Sequence, residues 1–335
     1  MNDLTYTLPS DWYWNKEVYL KEREKIFSKQ WMLVGQIENL QNAGDYITDI
    51  IADYPVLVIK NEEGVLKAFH NVCRHRASQI KLDSKGKCNN LVCPYHGWKY
   101  DLDGKLISNA NFKGNMDLKL FSLYEFKVEQ WRDLVFINMN PEASPLSEVI
   151  YPVEKDIERN FSDNMEFYKE LHFKVKCNWK TYIDNYQEGY HIPLIHPQLS
   201  KDLEWQEYKV INEGNCSIHR VNARGGSNQQ GSFGWMFPNF SYNTYGRGSS
   251  YMRVNPIGAG EIRLSYFLYK DMNLSSEEFE KETLEYQHLI SQEDQDMVPF
   301  IQKNLEAGIY HAGPLSHHWE NGLIHFHSLI RSSIS

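Results

Sequence analysis

Cys73-x-His75 and Cys93-x-x-His96 put two thiols and two imidazoles between Asn71 and Leu106, with 17 residues separating the pairs. A single zinc finger takes Cys-x(2–4)-Cys and then His-x(3–5)-His, so that like ligands pair. Here each pair is mixed. One thiolate and one imidazole from each of two loops suit two irons, with the cysteines on one and the histidines on the other. The surroundings agree: Gly97 allows close backbone approach, Pro94 stiffens its loop, and "DLDG" (101–104) supplies a turn after it. The chemistry of such a group is one-electron transfer.

A second set lies in "NWKTYIDNYQEGYHIPLIHP" (178–197). His191 and His196 are five apart, about 140° out of line on a regular helix. Pro193 between them clashes with the carbonyl of Gly189, so the helix must kink or end there, which can bring both imidazoles to one point. Two histidines and one carboxylate form the facial triad of non-haem Fe(II) oxygenases. The carboxylate must come from elsewhere. In "SSEEFEKETLEYQHLISQEDQDMVPFIQKNLEAG" (275–308), Phe279, Tyr286, Leu289, Ile290, Met297, Ile301 and Leu305 form an apolar stripe. Asp294 borders it on one side and Glu293 on the other, and periodicity does not choose between them.

The elements that must carry these residues are set by local patterning. Residues 16–31 read as a charged amphipathic helix around Val18, Ile26 and Trp31. From about 33 to 140, short β-rich runs such as "YITDII", "YPVLVIK" and "DLVFINMN" alternate with turn signals, which predicts a small antiparallel β domain. "NPEASPLSE" (140–148) reads as a linker. Beyond it a helix is expected over 178–190, strands over much of 205–270, and a helix from about 275 to 305 that opens on a Ser275/Glu278 capping box. Pro299 is expected to disturb that last helix, and "GSNQQGS" (226–232) reads as a loop. The resulting fold class is α+β, divided as 1–32, an N-terminal helical segment; 33–142, the β domain; and 143–335, the catalytic domain.

The chain has 335 residues and a net charge of −9, with no basic run, which disfavours nucleic acid and anionic membranes as partners. No apolar stretch approaches the roughly 18–20 residues that span a bilayer. The opening "MNDLTYTLPSDWYW" shows no signal-peptide pattern, and five cysteines are too few and too scattered for a secreted scaffold, so a cytoplasmic location is expected.

"CRHR…CPYHGW" resembles the Rieske domain of the Rieske non-haem iron oxygenases, and the resemblance extends over nearly the whole chain. Asn178, Trp179, Lys180, Asn185, Glu188, Tyr190, His191 and His196 match that family's iron motif. The resemblance implies a [2Fe–2S] cluster on Cys73, His75, Cys93 and His96, and a mononuclear Fe(II) on His191, His196 and Asp294. Asp294 is then chosen as the second acid of "QED". It implies a helix-grip, START-like catalytic domain, with an antiparallel sheet and a long C-terminal helix. Glu188 and Asn185 are assigned to the catalytic machinery. Glu188 would link the two metals across a homotrimer interface, through His96 or His75 of a neighbour, with His96 preferred. Respiratory Rieske proteins carry an extra cysteine in each loop. Ser78 and Tyr95 stand there, so the bridge is missing and a potential toward the lower end of the Rieske range is expected.

The resemblance further implies a terminal oxygenase. Such a subunit takes O2 as co-substrate and electrons from a separate flavin/iron–sulfur reductase or a ferredoxin, and draws on NAD(P)H only through that partner. "LKEREKIFSKQWMLVGQIENLQNAGDYIT" and "GPLSHHWENGLIHFHSLI" look like segments of choline- and betaine-oxidising members. A quaternary ammonium substrate, of choline, betaine or carnitine type, is therefore expected, with an aromatic or heteroaromatic acid as the alternative. Trp235, Phe237, Phe240, Tyr242 and Tyr245, with "RLSYFLY" (263–269), are expected to line the pocket and hold the cation by cation–π contact. His325 and His327 are read as packing residues on one strand face. Two other classes compete: a Rieske electron carrier, which leaves His191, His196 and Asp294 idle, and a zinc-binding interaction module, which would be colourless where a Rieske protein is red-brown.

Overall fold

The computed structural model describes residues 4–109, 112–160, 164–222, 224, 231–245 and 248–334. Two units emerge, residues 27–146 and residues 1–26 with 147–335. The second begins with β1 (Thr5–Tyr6) and α1 (Lys16–Glu22), whose Asn15 side chain caps the backbone N–H of Glu17. A π-helical turn, Arg23–Phe27, follows α1.

The unit of residues 27–146 is antiparallel β. Its strands are β2 (Met32–Gln36), β3 (Asp45–Ile51), β4 (Tyr54–Lys60), β5 (Leu66–His70), β6 (Lys85–Lys87), β7 (Leu91–Val92), β8 (Lys99–Tyr100), β9 (Leu106–Ser108), β10 (Glu125–Trp131) and β11 (Leu134–Asn138). They form a seven-stranded sheet in the order β2-β11-β10-β5-β4-β3-β6, and a three-stranded sheet β7-β8-β9. Leu57, Ile59, Phe69, Ile80, Leu91, Trp98 and Tyr100 pack one core between them, and Cys73 and Cys93 belong to it.

The other unit continues with α2 (Leu146–Asn160), β12 (Met165–Val175), α3 (Trp179–Tyr186), α4 (Ile192–Ile195), α5 (Pro197–Asp202), β13 (Lys209–Glu213), β14 (Cys216–Val221), β15 (Gly231–Met236), β16 (Phe240–Tyr245), β17 (Gly248–Pro256), β18 (Ile262–Asp271), α6 (Ser276–Phe279), α7 (Glu285–Glu306), β19 (Pro314–Leu315) and α8 (Asn321–Ile334). Its seven-stranded antiparallel sheet runs β12-β18-β17-β16-β15-β14-β13. Side chains alternate across it. Ser232 and Tyr242 turn to one face, where both bond Asp156 of α2. Met252 and Tyr266 turn to the other, where both meet Tyr182 of α3. α3 packs against both β17 and α7.

Several expectations need correction. The helix expected over 178–190 stops at Tyr186 and restarts as α4 and α5; Pro193 falls in the first turn of α4, where its missing N–H costs no helical bond. Ser275 and Glu278 do form the capping box. α7 runs through Pro299, where disturbance was expected, to Glu306, and buries Val298, Gln302 and Leu305. The buried face is thus rotated from the apolar stripe: Leu289, Met297 and Ile301 are exposed. His325 and His327 lie on a helix, α8, and two residues apart they cannot share a face. Of the loop 226–232, residues 226–230 lie outside the described residues. No helix among the described residues is long and apolar enough to cross a membrane.

Candidate metal centres and substrate cavity

The two ligand loops are built alike. In the first, Ala77 N–H donates to the Cys73 carbonyl (3.1 Å) and Cys73 N–H to the Ser78 carbonyl (2.8 Å). In the second, Gly97 N–H donates to the Cys93 carbonyl (3.0 Å) and Cys93 N–H to the Trp98 carbonyl (2.8 Å). Each loop closes through a residue with positive φ, Ala77 at 57° and Gly97 at 72°. This bends both chains so that thiols turn into the core and imidazoles outward. Cys73 and Cys93 are buried, His75 is half-buried and His96 exposed. The two imidazole rings sit 4.6 Å apart at 73°. Trp98 stacks on His75 at 4.7 Å and fixes its plane.

These residues fit a two-iron cluster. His75 Nδ1 is buried with no hydrogen-bond partner, a state that native proteins avoid unless the atom has another ligand. All five cysteines are free thiols, so no disulfide competes for Cys73 or Cys93. Tyr100 accepts from Arg74 N–H (3.1 Å), which leaves its own proton aimed at Cys73 Sγ, 3.3 Å away.

In the catalytic unit, Asn178 caps α3 by accepting from Lys180 N–H (3.0 Å). Gln302 of α7 accepts from Asn178 N–H (2.9 Å) and from Thr181 Oγ1 (2.8 Å), and donates to the Tyr13 carbonyl (3.0 Å). Glu22 of α1 pairs with Lys180 Nζ at 2.6 Å, both fully buried, and accepts from Trp179 Nε1 (2.8 Å). The start of α3 is therefore fastened to α1 and α7 before the chain breaks at Tyr186. Sequence reasoning missed Glu22 and Gln302, whose partners on α3 lie more than a hundred residues away.

The break brings His191, at the start of α4, to within 5.2 Å of His196, at its end, ring centre to ring centre. Asp294 of α7 meets them: its Oδ1 lies 3.0 Å from His196 Nε2 and 3.8 Å from His191 Nε2. One ligand atom from each of the three lies within 4.8 Å of the others. Both Nδ1 atoms face carboxylates instead. Glu188 receives His191 Nδ1 on one oxygen, and the backbone N–H groups of Tyr190 and His191 on the other. Glu293 takes His196 Nδ1 at 2.7 Å. Asn185 Nδ2 donates to Asp294 Oδ1 at 2.8 Å. Burial pulls the His196 pKa down, but Asp294 and Glu293 outweigh it and hold the imidazole above its ordinary value. Two imidazoles and a carboxylate with backed Nδ1 atoms are the donor set of a non-haem iron.

The three residues border a cavity of about 890 Å³. Its aromatic wall is Phe173, Tyr182, Tyr186, Phe233, Tyr266 and Tyr286. Tyr266 and Leu268 come from the expected "RLSYFLY" segment, but Trp235, Phe237, Phe240 and Tyr242 do not line it. Tyr242 points to the α2 face, as does Phe240 two residues earlier. Trp235 shares the cavity face but is covered by Phe326 of α8, and Phe237 packs on Trp235. The side chain of Tyr245 lies outside the described residues.

Comparison with known proteins gives two family matches. Residues 30–122 match the Rieske [2Fe-2S] domain, and residues 162–335 match the ring hydroxylating alpha subunit (catalytic domain). The chloroplastic choline monooxygenase of Beta vulgaris is 32% identical over 345 aligned residues, covering 98% of this chain and 77% of that protein. The glycine betaine monooxygenase oxygenase subunit of Pseudomonas aeruginosa (strain UCBPP-PA14) is 33% identical over 207 residues, covering 61% of this chain and 48% of that protein. Among solved structures, the quaternary ammonium Rieske monooxygenase CntA in complex with L-carnitine superposes with a TM-score of 0.86 at 25% identity, over 99% of this chain and 97% of that one.

Proposed function

The chain belongs to the Rieske non-haem iron oxygenases, as an α subunit with a Rieske domain and a ring-hydroxylating catalytic domain, and on that premise we propose that it oxidises a quaternary ammonium compound. In this reading Cys73, Cys93, His75 and His96 hold the cluster, and His191, His196 and Asp294 hold the iron. When bound, the cluster supplies electrons singly and the iron supplies the open positions at which dioxygen is activated.

The chain's own residues do the rest. Glu188 and Glu293 hold the Nδ1 protons of His191 and His196, which fixes both tautomers and leaves Nε2 free as ligand. Asn185 orients Asp294. The aromatic wall excludes water and offers ring faces to a trimethylammonium. Glu188 also has acceptor capacity beyond its present bonds, since a carboxylate offers about four lone-pair sites. It is the residue that would receive a Rieske histidine, His96 in our reading, from a neighbouring subunit of a homotrimer. Electrons would come from a separate reductase.

The observation that carries the substrate reading is the cavity beside His191, His196 and Asp294, walled by aromatic rings and rich in carboxylates. The relatives' names, choline and glycine betaine monooxygenase, point the same way. A panel scored by oxygen uptake and product, with a generic reductase and NADH, tests it. Quaternary ammonium compounds should stimulate uptake coupled to product. Stimulation by benzoate-type acids, with none from quaternary ammonium compounds, would contradict it.

A further inference from the structure

The cavity's charges are lopsided. Among the described lining residues stand five carboxylates, on Glu188, Asp202, Glu280, Glu285 and Asp294, against one lysine, Lys169, and no arginine; with Asp294 given to the iron and Glu188 to His191, Asp202, Glu280 and Glu285 still outnumber the lysine. Lys169 is already engaged. Its Nζ lies 3.3 Å from Glu280 Oε1, the same oxygen that accepts from Tyr168 Oη at 2.6 Å. It also sits 5.2 Å over the Tyr168 ring. The lining imidazoles apart, a carboxylate brought into this space would find no permanently cationic donor that is not already shared, and would face carboxylates of its own sign.

Neutral polar groups are placed differently. Tyr182 Oη lies 3.1 Å from Tyr266 Oη, which lies 2.8 Å from Ser291 Oγ, which accepts from Gln295 Nε2 at 2.8 Å. Tyr182, Tyr266 and Ser291 all line the cavity. Hydroxyls both donate and accept, so this run can take up an alcohol by re-orienting protons.

We infer that the substrate is a quaternary ammonium whose other end is an uncharged hydroxyl, as in choline, and not a carboxylate, as in glycine betaine or carnitine. The inference rests on the quaternary ammonium reading above and narrows it. The cation's head is matched by the acidic, aromatic wall, and its tail by the Tyr182–Tyr266–Ser291 run.

Isothermal titration calorimetry on the iron-loaded full chain under anaerobic conditions separates the two levels. The probes are choline, glycine betaine, L-carnitine and 3,3-dimethylbutan-1-ol, the uncharged isostere of choline. Choline should bind at least about tenfold more tightly than each of the other three. Glycine betaine or carnitine binding within tenfold of choline, or more tightly, overturns the uncharged-tail inference and leaves the quaternary ammonium reading standing. The neutral isostere binding as well as choline overturns that reading itself. Glu280→Gln, which releases Lys169, should narrow the choline-to-betaine ratio by at least about threefold. An unchanged or wider ratio counts against the inference.

Discussion

His191 and His196 each spend one ring nitrogen on a carboxylate behind them and turn the other toward Asp294. Glu293 and Asp294 are neighbours on α7 with different tasks, and periodicity could not separate them because both border the same stripe. The family resemblance chose Asp294, and the position of His196 gives each acid its place: Glu293 meets its Nδ1 and Asp294 its Nε2. Asp294→Ala should strip the mononuclear iron and leave the red-brown colour, read by iron content and visible absorbance. Glu293→Ala should keep iron at saturating metal but bind it about 10–100-fold more weakly, the usual effect of losing an outer partner. Equal iron affinity in Glu293→Ala and the parent would remove Glu293 from this role. At the cluster, Tyr100→Phe removes the proton aimed at Cys73 Sγ. Such a bond is stronger to the more negative, reduced cluster, so its loss should lower the Rieske potential in redox titration, by about 40 mV for each 1 kcal/mol by which the bond differs between the two states. Cys73, His75, Cys93 and His96 could be singled out as a set because mixed Cys/His pairs at this spacing suit little else, whereas Tyr100 carries no spacing signal.

At the scale of elements, the site depends on a helix that stops on time. Pro193 announced the break, and the capping box announced the start of α6. What holds α3 in place was not legible, because a lone Gln in an amphipathic helix reads as surface. Gln302 is in fact buried and bonds Asn178, Thr181 and Tyr13 at once. Gln302→Ala should leave the Asn178 N–H buried without an acceptor and destabilise the catalytic unit by about 1–3 kcal/mol, seen as a lower urea midpoint. An unchanged midpoint would show that α3 is held by packing alone. The aromatics expected in the cavity failed for a related reason. "GWMFPNFSYNTY" names rings without saying which face of β16 meets α2, and alternation sends Phe240 and Tyr242 away from the cavity. The segment containing His325 and His327 mixes apolar and His residues in a way that fits either period, and α8 resolves it as helix.

For the whole molecule, the change in patterning near residue 150 and the two ligand sets suggested two domains with bounds at 32/33 and 142/143, and the structure divides into a small antiparallel β unit, 27–146, and a sheet-and-long-helix unit, 1–26 with 147–335. The identity of the substrate was not readable from the sequence, because it depends on which side chains a folded sheet turns inward. In the proposed function, Glu188 would be the link between the residues that hold the iron and a Rieske histidine of a neighbouring subunit. Glu188→Gln keeps the size but replaces a charged acceptor by an amide, and charge-assisted bonds are about twice as strong as neutral ones. Both metals should remain, stopped-flow reduction of the cluster should stay normal, and steady-state activity should fall because cluster reoxidation slows. Reoxidation at the parent rate would mean that Glu188 is not the bridge.

One single-turnover experiment bears most directly on the claim that this chain is a two-centre oxygenase. The protein is reduced anaerobically, freed of reductant, and mixed with choline and dioxygen while the Rieske absorbance is followed and the product quenched. Cluster reoxidation should accompany product formation, should be much slower without substrate, and should be lost with its product in Asp294→Ala. Reoxidation with product at the parent rate in Asp294→Ala would contradict the account, since oxidation would then proceed without the site that His191, His196 and Asp294 form.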